Sequence, residues 1–242
     1  YSIVGGEVRE HGPWLAEQFR VYDEERVRLL VLTDPVDDRS TEVCTEVAAA
    51  LADLFAQETL SITGGLLRAL REAHRNLSEW NERSLQGHRV AVGVTCVAIR
   101  DGEATVAQVG PGLVYLAGEN GVRRVTTEES PAAQPLGGTE PIEPQFTSVD
   151  LGEEQVLLMS ESAESVVGPP AIGQALGIGA ENALRDLFLR TRKVRDLTAV
   201  LLADAPEIDD VEAAPVEVDL PNVRTIRTGV SRPSEQETEQ PV

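Results

Sequence analysis

Leu29-Leu30-Val31-Leu32 is an apolar run that stops abruptly in Thr33-Asp34-Pro35-Val36-Asp37-Asp38. A short apolar run of this kind reads as a buried strand, and its acidic end would deliver a carboxylate to a surface site. Two later segments repeat the pattern. Glu161 follows Leu157-Leu158-Met159, and Asp196 immediately precedes the run from Leu197 to Leu202. Carboxylates at neighbouring strand ends repel one another unless a cation, protons or solvent offsets the charge. Spacing alone leaves a second reading open, three unrelated acids that each cap a strand.

The segments around these strands set the fold class. Apolar residues at Val43, Val47, Leu51, Leu54 and Phe55 mark one face of a helix from Glu42 to Gln57, with Ser40 or Thr41 as its cap. A second helix is expected from about Gly65 to Arg83, with Leu66, Leu67, Leu70, Ala73, Leu77 and Trp80 inward. The short link between them predicts antiparallel packing over one face of a sheet. From Val92 to Ile99 the texture becomes β-rich, and Asp101-Gly102 is a hairpin turn. Strands at 104–109, 113–117 and 122–126 then predict a four-stranded antiparallel meander. Residues 130–144 read as loop, 155–159 as a buried strand, 180–192 as a helix after the Gly168-Pro169-Pro170 break, and 197–203 as the last strong strand. The expected architecture is α+β, a four-layer αββα sandwich of two antiparallel sheets flanked by helices.

Composition narrows function more than fold. The 242 residues carry a formal net charge of −20, which opposes binding to nucleic acid, where Lys and Arg supply most of the affinity. The same charge does not oppose a divalent cation or a basic partner. Cys44 and Cys96 read as buried free thiols rather than a disulfide framework. The scattered histidines His11, His74 and His88 have no zinc spacing. His74 reads as a boundary residue, and Trp14 and Trp80 as packing residues. No segment reads as a membrane span or a signal peptide, so a cytoplasmic location is expected. The start at Tyr1 suggests a fragment or processed form. Residues 1–206 are expected to form one domain and 207–242 an acidic, proline-containing linker or tail, in which Val216 to Leu220 could add an edge strand.

The order of these segments resembles the metal-dependent, PPM-type (protein phosphatase 2C-like) serine/threonine phosphatases. The resemblance covers roughly residues 10–203. It is carried by Pro13-Trp14-Leu15-Ala16-Glu17-Gln18 for R-x-x-N-E-D and by Asp34-Pro35-Val36-Asp37-Asp38 for D-G-x-G-G. Gly93-Val94-Thr95, Val109-Gly110-Pro111-Gly112, Ser160-Glu161-Ser162 and Asp196-Leu197-Thr198 stand for the later motifs. Arg123 to Thr126 and Leu136-Gly137 also fall where the family places similar residues. The resemblance implies hydrolysis of phosphoserine and phosphothreonine by water held between two Mg²⁺ or Mn²⁺ ions. It would make Asp34, the Pro35 carbonyl, Glu161 and Asp196 the metal ligands.

Asp34 keeps the family position of the bridging Asp and Asp196 that of the last ligand, but the other elements of that implied site depart from the family pattern. Glu161 is one methylene longer than the usual Asp, roughly 1.5 Å, where ligand distances hold to about 0.2 Å. Pro35 replaces a glycine and fixes φ near −65°. Asp37 and Asp38 replace two permissive glycines. Gln18 and Pro111 replace acids that serve metals or their waters. Pro13 replaces a phosphate-clamping Arg, worth roughly 1.5–3 kcal/mol for one charged hydrogen bond. Arg20 or Arg39 could supply the missing guanidinium, although each reads better as a surface partner for Asp23 or Asp37. The expectation is a pseudophosphatase that binds a protein partner, whether phosphoprotein, kinase or regulator, with Mg²⁺ or Mn²⁺ as cofactor if the impaired site holds any ion. The alternative is a divergent Mn/Mg-dependent phosphatase using Asp34, Glu161 and Asp196, and the third is an unrelated α+β interaction domain.

Overall fold

Strict alternation along the strands divides the side chains between separate hydrophobic layers. In the computed structural model, which describes residues 1–9, 12–125 and 134–203, the chain begins with β1 (Ser2–Val4), β2 (Glu7–Arg9), β3 (Leu15–Tyr22) and β4 (Glu25–Pro35). Helices α1 (Thr41–Ala56) and α2 (Ile62–Arg83) follow, then β5 (Val92–Arg100), β6 (Glu103–Val109), β7 (Leu113–Gly118) and β8 (Gly121–Arg124). β9 (Gln145–Asp150), β10 (Glu154–Met159), α3 (Pro169–Leu176), α4 (Ala180–Thr191) and β11 (Leu197–Leu202) complete the described chain. One sheet has the order β3-β4-β5-β6-β9 and the other β2-β1-β11-β10-β7-β8. All the pairings are antiparallel.

On β4, Val27, Leu29 and Val31 pack under α1 and α2 together with Leu51, Phe55, Leu66 and Leu70. Leu30 and Leu32 point the other way, into the layer between the sheets, where they meet Val156, Leu158, Val200 and Leu202. Leu157, Met159, Leu197 and Ala199 face α3 and α4. Helix, sheet, sheet and helix thus stack as the sequence predicts, with a period of two assigning each strand residue to one side. No described helix is long and apolar enough to cross a membrane. Cys44 and Cys96 are both buried free thiols.

Four local expectations are corrected. The strands from β5 to β8 do not form one meander, because β6 pairs with β9 while β7 crosses to the other sheet. The crossing uses Gly110 at φ +74° and Gly112 at φ +133°, conformations that glycine adopts without strain. Gly168-Pro169-Pro170 opens the additional helix α3, with proline in its first turn where a missing N–H costs nothing. Trp80 is 47% exposed; the inward stripe of α2 runs through Leu66, Leu70, Leu77 and Asn81, and residue 80 lies off it. Arg20 is 3% exposed rather than a surface partner. Its guanidinium stacks 4.6 Å from the Phe55 ring centre and donates to the Leu60 carbonyl at 2.9 Å. The expected linker 207–242, its possible strand at 216–220 and Thr126 lie outside the described residues.

The segment from 134 to 142 is fastened to α2 by a buried amide. Asn81 Nδ2 donates to the Val90 and Gly137 carbonyls at 2.7 and 2.8 Å, and its Oδ1 accepts from Val90 N at 2.9 Å. Ser78 Oγ adds a bond to the Gly138 carbonyl at 2.7 Å. Asn81→Ala is expected to cost about 2–4 kcal/mol in urea denaturation, since it strands buried backbone groups. Gly93 has a different role: a Cβ there would lie 2.1 Å from the Pro111 carbonyl oxygen. Gly93→Ala is expected to cost about 1–3 kcal/mol through overpacking, read by the same measurement.

Candidate functional site

The register of the sheets carries the sequence-predicted acids to one rim of the sandwich. On β4, Asp34 lies opposite Gly93 of β5, and Pro111 packs directly on Gly93. Three separate motif segments therefore meet there. From the other sheet, β10 and β11 pair antiparallel with Met159 opposite Ala199. The end of β10 and the start of β11 share that same rim. Ser160 locks them together, with its amide donating to the Thr198 carbonyl and its hydroxyl accepting from Thr198 N, each at 3.0 Å. Asp34, Pro35, Asp37, Asp38, Glu161 and Asp196 all line a single open cleft of about 850 Å³.

Sharing a cleft is not the same as presenting free ligand atoms. Asp34 is 6% exposed, and its Oδ2 accepts a 2.5 Å hydrogen bond from the Glu161 amide. Burial pushes the Asp34 carboxyl up to about 7; the Glu161 amide opposes that rise, and the Glu161 charge adds to it. Asp37 caps the turn that leads into α1: its Oδ1 accepts from Ser40 N at 3.1 Å and Ser40 Oγ at 2.8 Å. Its Oδ2 is held by the Arg39 guanidinium, with Nε at 3.0 Å. Slight burial would raise the Asp37 carboxyl, but the bonds from Ser40 and Arg39 outweigh it and hold it below the ordinary range. Asp196 Oδ1 accepts from Gly5 N at 2.7 Å.

These bonds decide the fit of a Mg²⁺ or Mn²⁺ pair. Such ions need several converging oxygens at 2.0–2.6 Å. Among the described residues, no three Asp, Glu, His or Cys side chains cluster closely enough to hold an ion. Asp34, Asp37 and Asp196 bind backbone amides, a serine and an arginine instead. In this arrangement the residues present do not fit the two-ion centre that the resemblance implies, and no reaction step is derived through it.

Some residues lie elsewhere than the sequence suggests. Gln18 sits on the α1 side of β3, within 3.5 Å of Asp53, away from the cleft. Trp14 lines the cleft in its place, so the first motif is out of register in this segment. The cause is visible in the pairing, which sets Leu15 opposite Leu32 and carries residue 18 up the strand. Glu164 also lines the cleft and was not anticipated. It binds Tyr115 Oη at 3.1 Å and the Arg124 guanidinium at 2.9 Å. Its spacing of three from Glu161 on a tight turn was the available signal.

No family profile and no curated protein sequence matches the chain. Solved structures do match. A serine/threonine phosphatase from S. agalactiae aligns at 16% identity with a TM-score of 0.65, covering 84% of this chain and 98% of that one. Serine/threonine phosphatase Stp1 from Staphylococcus aureus aligns at 14% identity and TM-score 0.63, covering 85% and 94%. The Mycobacterium tuberculosis serine/threonine phosphatase PstP/Ppp aligns at 18% identity and TM-score 0.57, covering 83% and 95%. Likeness at such low identity speaks for architecture alone, and the architecture of this chain is the PPM-type, protein phosphatase 2C-like fold.

Proposed function

We propose that this chain is a phosphatase-fold domain kept for binding or regulating a protein partner, and not for hydrolysis. One observation carries the reading. The carboxylate expected to bridge two metal ions, Asp34, is buried and turned onto the Glu161 amide. That bond engages one carboxylate oxygen and burial restricts access to the other, whereas a hard cation needs several converging oxygens. The substitutions at Pro35, Asp37 and Asp38 support the same conclusion, since glycine backbone has been exchanged for side chains, and Asp37 serves as a helix-leading cap. On this reading the domain spans residues 1–206, and 207–242 connects it to something further.

The rival reading, a divergent metal-dependent phosphatase, has one observation in its favour: Asp34, Glu161 and Asp196 face a common cleft. Calorimetric titration with Mg²⁺ and Mn²⁺, run beside a phosphothreonine-peptide hydrolysis assay, separates the two. The expected outcome is no turnover and no saturable binding below millimolar ion. Turnover that disappears in Asp34→Asn would overturn the proposal.

A second measurement tests the burial of Asp34 itself. Its folded pKa is raised above the unfolded carboxylate value, so the protonated form is favoured by folding. That stability is fully present below the unfolded pKa, roughly 3.9, and is lost as pH rises through about 7. In urea denaturation with excess EDTA, Asp34→Asn should gain about 2–3 kcal/mol relative to wild type between pH 5 and pH 8. Parallel pH profiles for the two proteins would show that the carboxyl ionises freely in the folded chain.

A further inference from the structure

A second cleft, of about 870 Å³, opens on the other side of Asp37, between α2 and the segment from 137 to 142. In a chain of net charge −20, its lining is unusual for its arginines. Arg71 and Arg75 lie four residues apart on one face of α2, and Arg89 reaches the same cleft from the segment before β5. Arg71 and Arg89 are exposed and have no hydrogen-bond or ion-pair partner among the described residues. Arg75 pairs with Glu72 but keeps 62% of its side chain open to solvent. Two guanidinium groups without a partner among the described residues are available for an incoming anion.

We infer that this cleft docks a phosphorylated peptide whose phosphoryl group is flanked by basic residues. The inference rests on the partner-binding role proposed above and gives that partner a chemical class. Guanidinium forks match phosphate oxygens in pairs, and Arg71 and Arg89 reach the same cleft from separate segments. The acids of the cleft select the rest of the ligand. Glu82 has no partner among the described residues, and Glu79 faces only Arg83, at 3.8 Å. They repel an extended polyanion and suit Lys or Arg beside a compact phosphoryl group. Asp37 is already occupied by Arg39 and Ser40.

The cleft is also built in advance of binding. Asn81 and Ser78 fasten its far wall to α2, and the Gly137 amide donates to His74 Nδ1 at 3.4 Å. Gly137 sits at φ +90°, and a Cβ there would lie 2.8 Å from the Val90 carbonyl oxygen. A wall held this closely loses little freedom when a ligand arrives.

The test is fluorescence anisotropy with labelled Arg-Arg-Ala-phosphoThr-Val-Ala, its unphosphorylated form and an alanine-flanked phosphothreonine peptide, in excess EDTA. The phosphorylated basic peptide should bind at least about tenfold more tightly than the unphosphorylated one. Arg71→Glu and Arg89→Glu should each weaken it by about tenfold or more, while Arg185→Glu on α4 leaves it unchanged. Glu82→Arg should weaken the basic peptide and spare the alanine-flanked one. Arg71→Gln, with melting temperatures for every variant, separates lost contacts from lost fold. Equal binding of phosphorylated and unphosphorylated peptides would overturn the inference, as would equal loss in Arg185→Glu. Inorganic phosphate displacing the peptide at the peptide's own dissociation constant would overturn it too, by showing a free-anion site. Mn²⁺-dependent turnover would sink the non-catalytic reading alone, because docking is scored without metal.

Discussion

Val27, Leu29 and Val31 pack beneath the helices while Leu30 and Leu32 fill the space between the sheets, so β4 belongs to two cores at once. A strand shared in this way cannot slip by one residue without exchanging its entire content between the two. That constraint fixes where Asp34 emerges, opposite Gly93 and beneath the end of β10. It also makes the fold independent of the residues at the rim. The cores depend on apolar alternation, and none of the substituted positions around the rim contributes to that alternation. The acids can change partners while the strands stay in place.

Three of the rim acids are held in a common physical form. Asp34 and Asp196 each accept from a backbone amide, and Asp37 accepts from a serine and an arginine. An internal donor lowers the cost of holding a carboxylate at the rim without any ion. It also removes a lone pair that coordination would use. The rim and the arginine-lined cleft beyond Asp37 therefore differ in kind. In one, Asp34, Asp37 and Asp196 are held by donors of the protein itself; in the other, Arg71 and Arg89 have no partner among the described residues.

Much of this was legible in the residue order. Period-two alternation and the helical stripes located the long strands and α1, α2 and α4, because those signals arise from burial on one face. Asp34, Glu161 and Asp196 could be singled out because each adjoins an apolar run. Other features depended on contacts distant in sequence. The transfer of β7 to the other sheet is decided by Gly110 and Gly112, whose spacing reads equally as a hairpin link. Burial of Arg20 depends on Phe55 and the Leu60 carbonyl, and nothing adjacent to residue 20 announces it. The misplaced Gln18 shows how a family pattern fails where pairing, not motif spacing, sets the position.

Arg20 also has a consequence for how the helical layer is held to the sheet. Its guanidinium fits beside Gly65, whose absent side chain leaves the room, and bridges β3 to the link between α1 and α2. The helical hairpin is therefore moored to the sheet by one buried side chain, at the opposite end of the β3–β4 pair from the carboxylate rim.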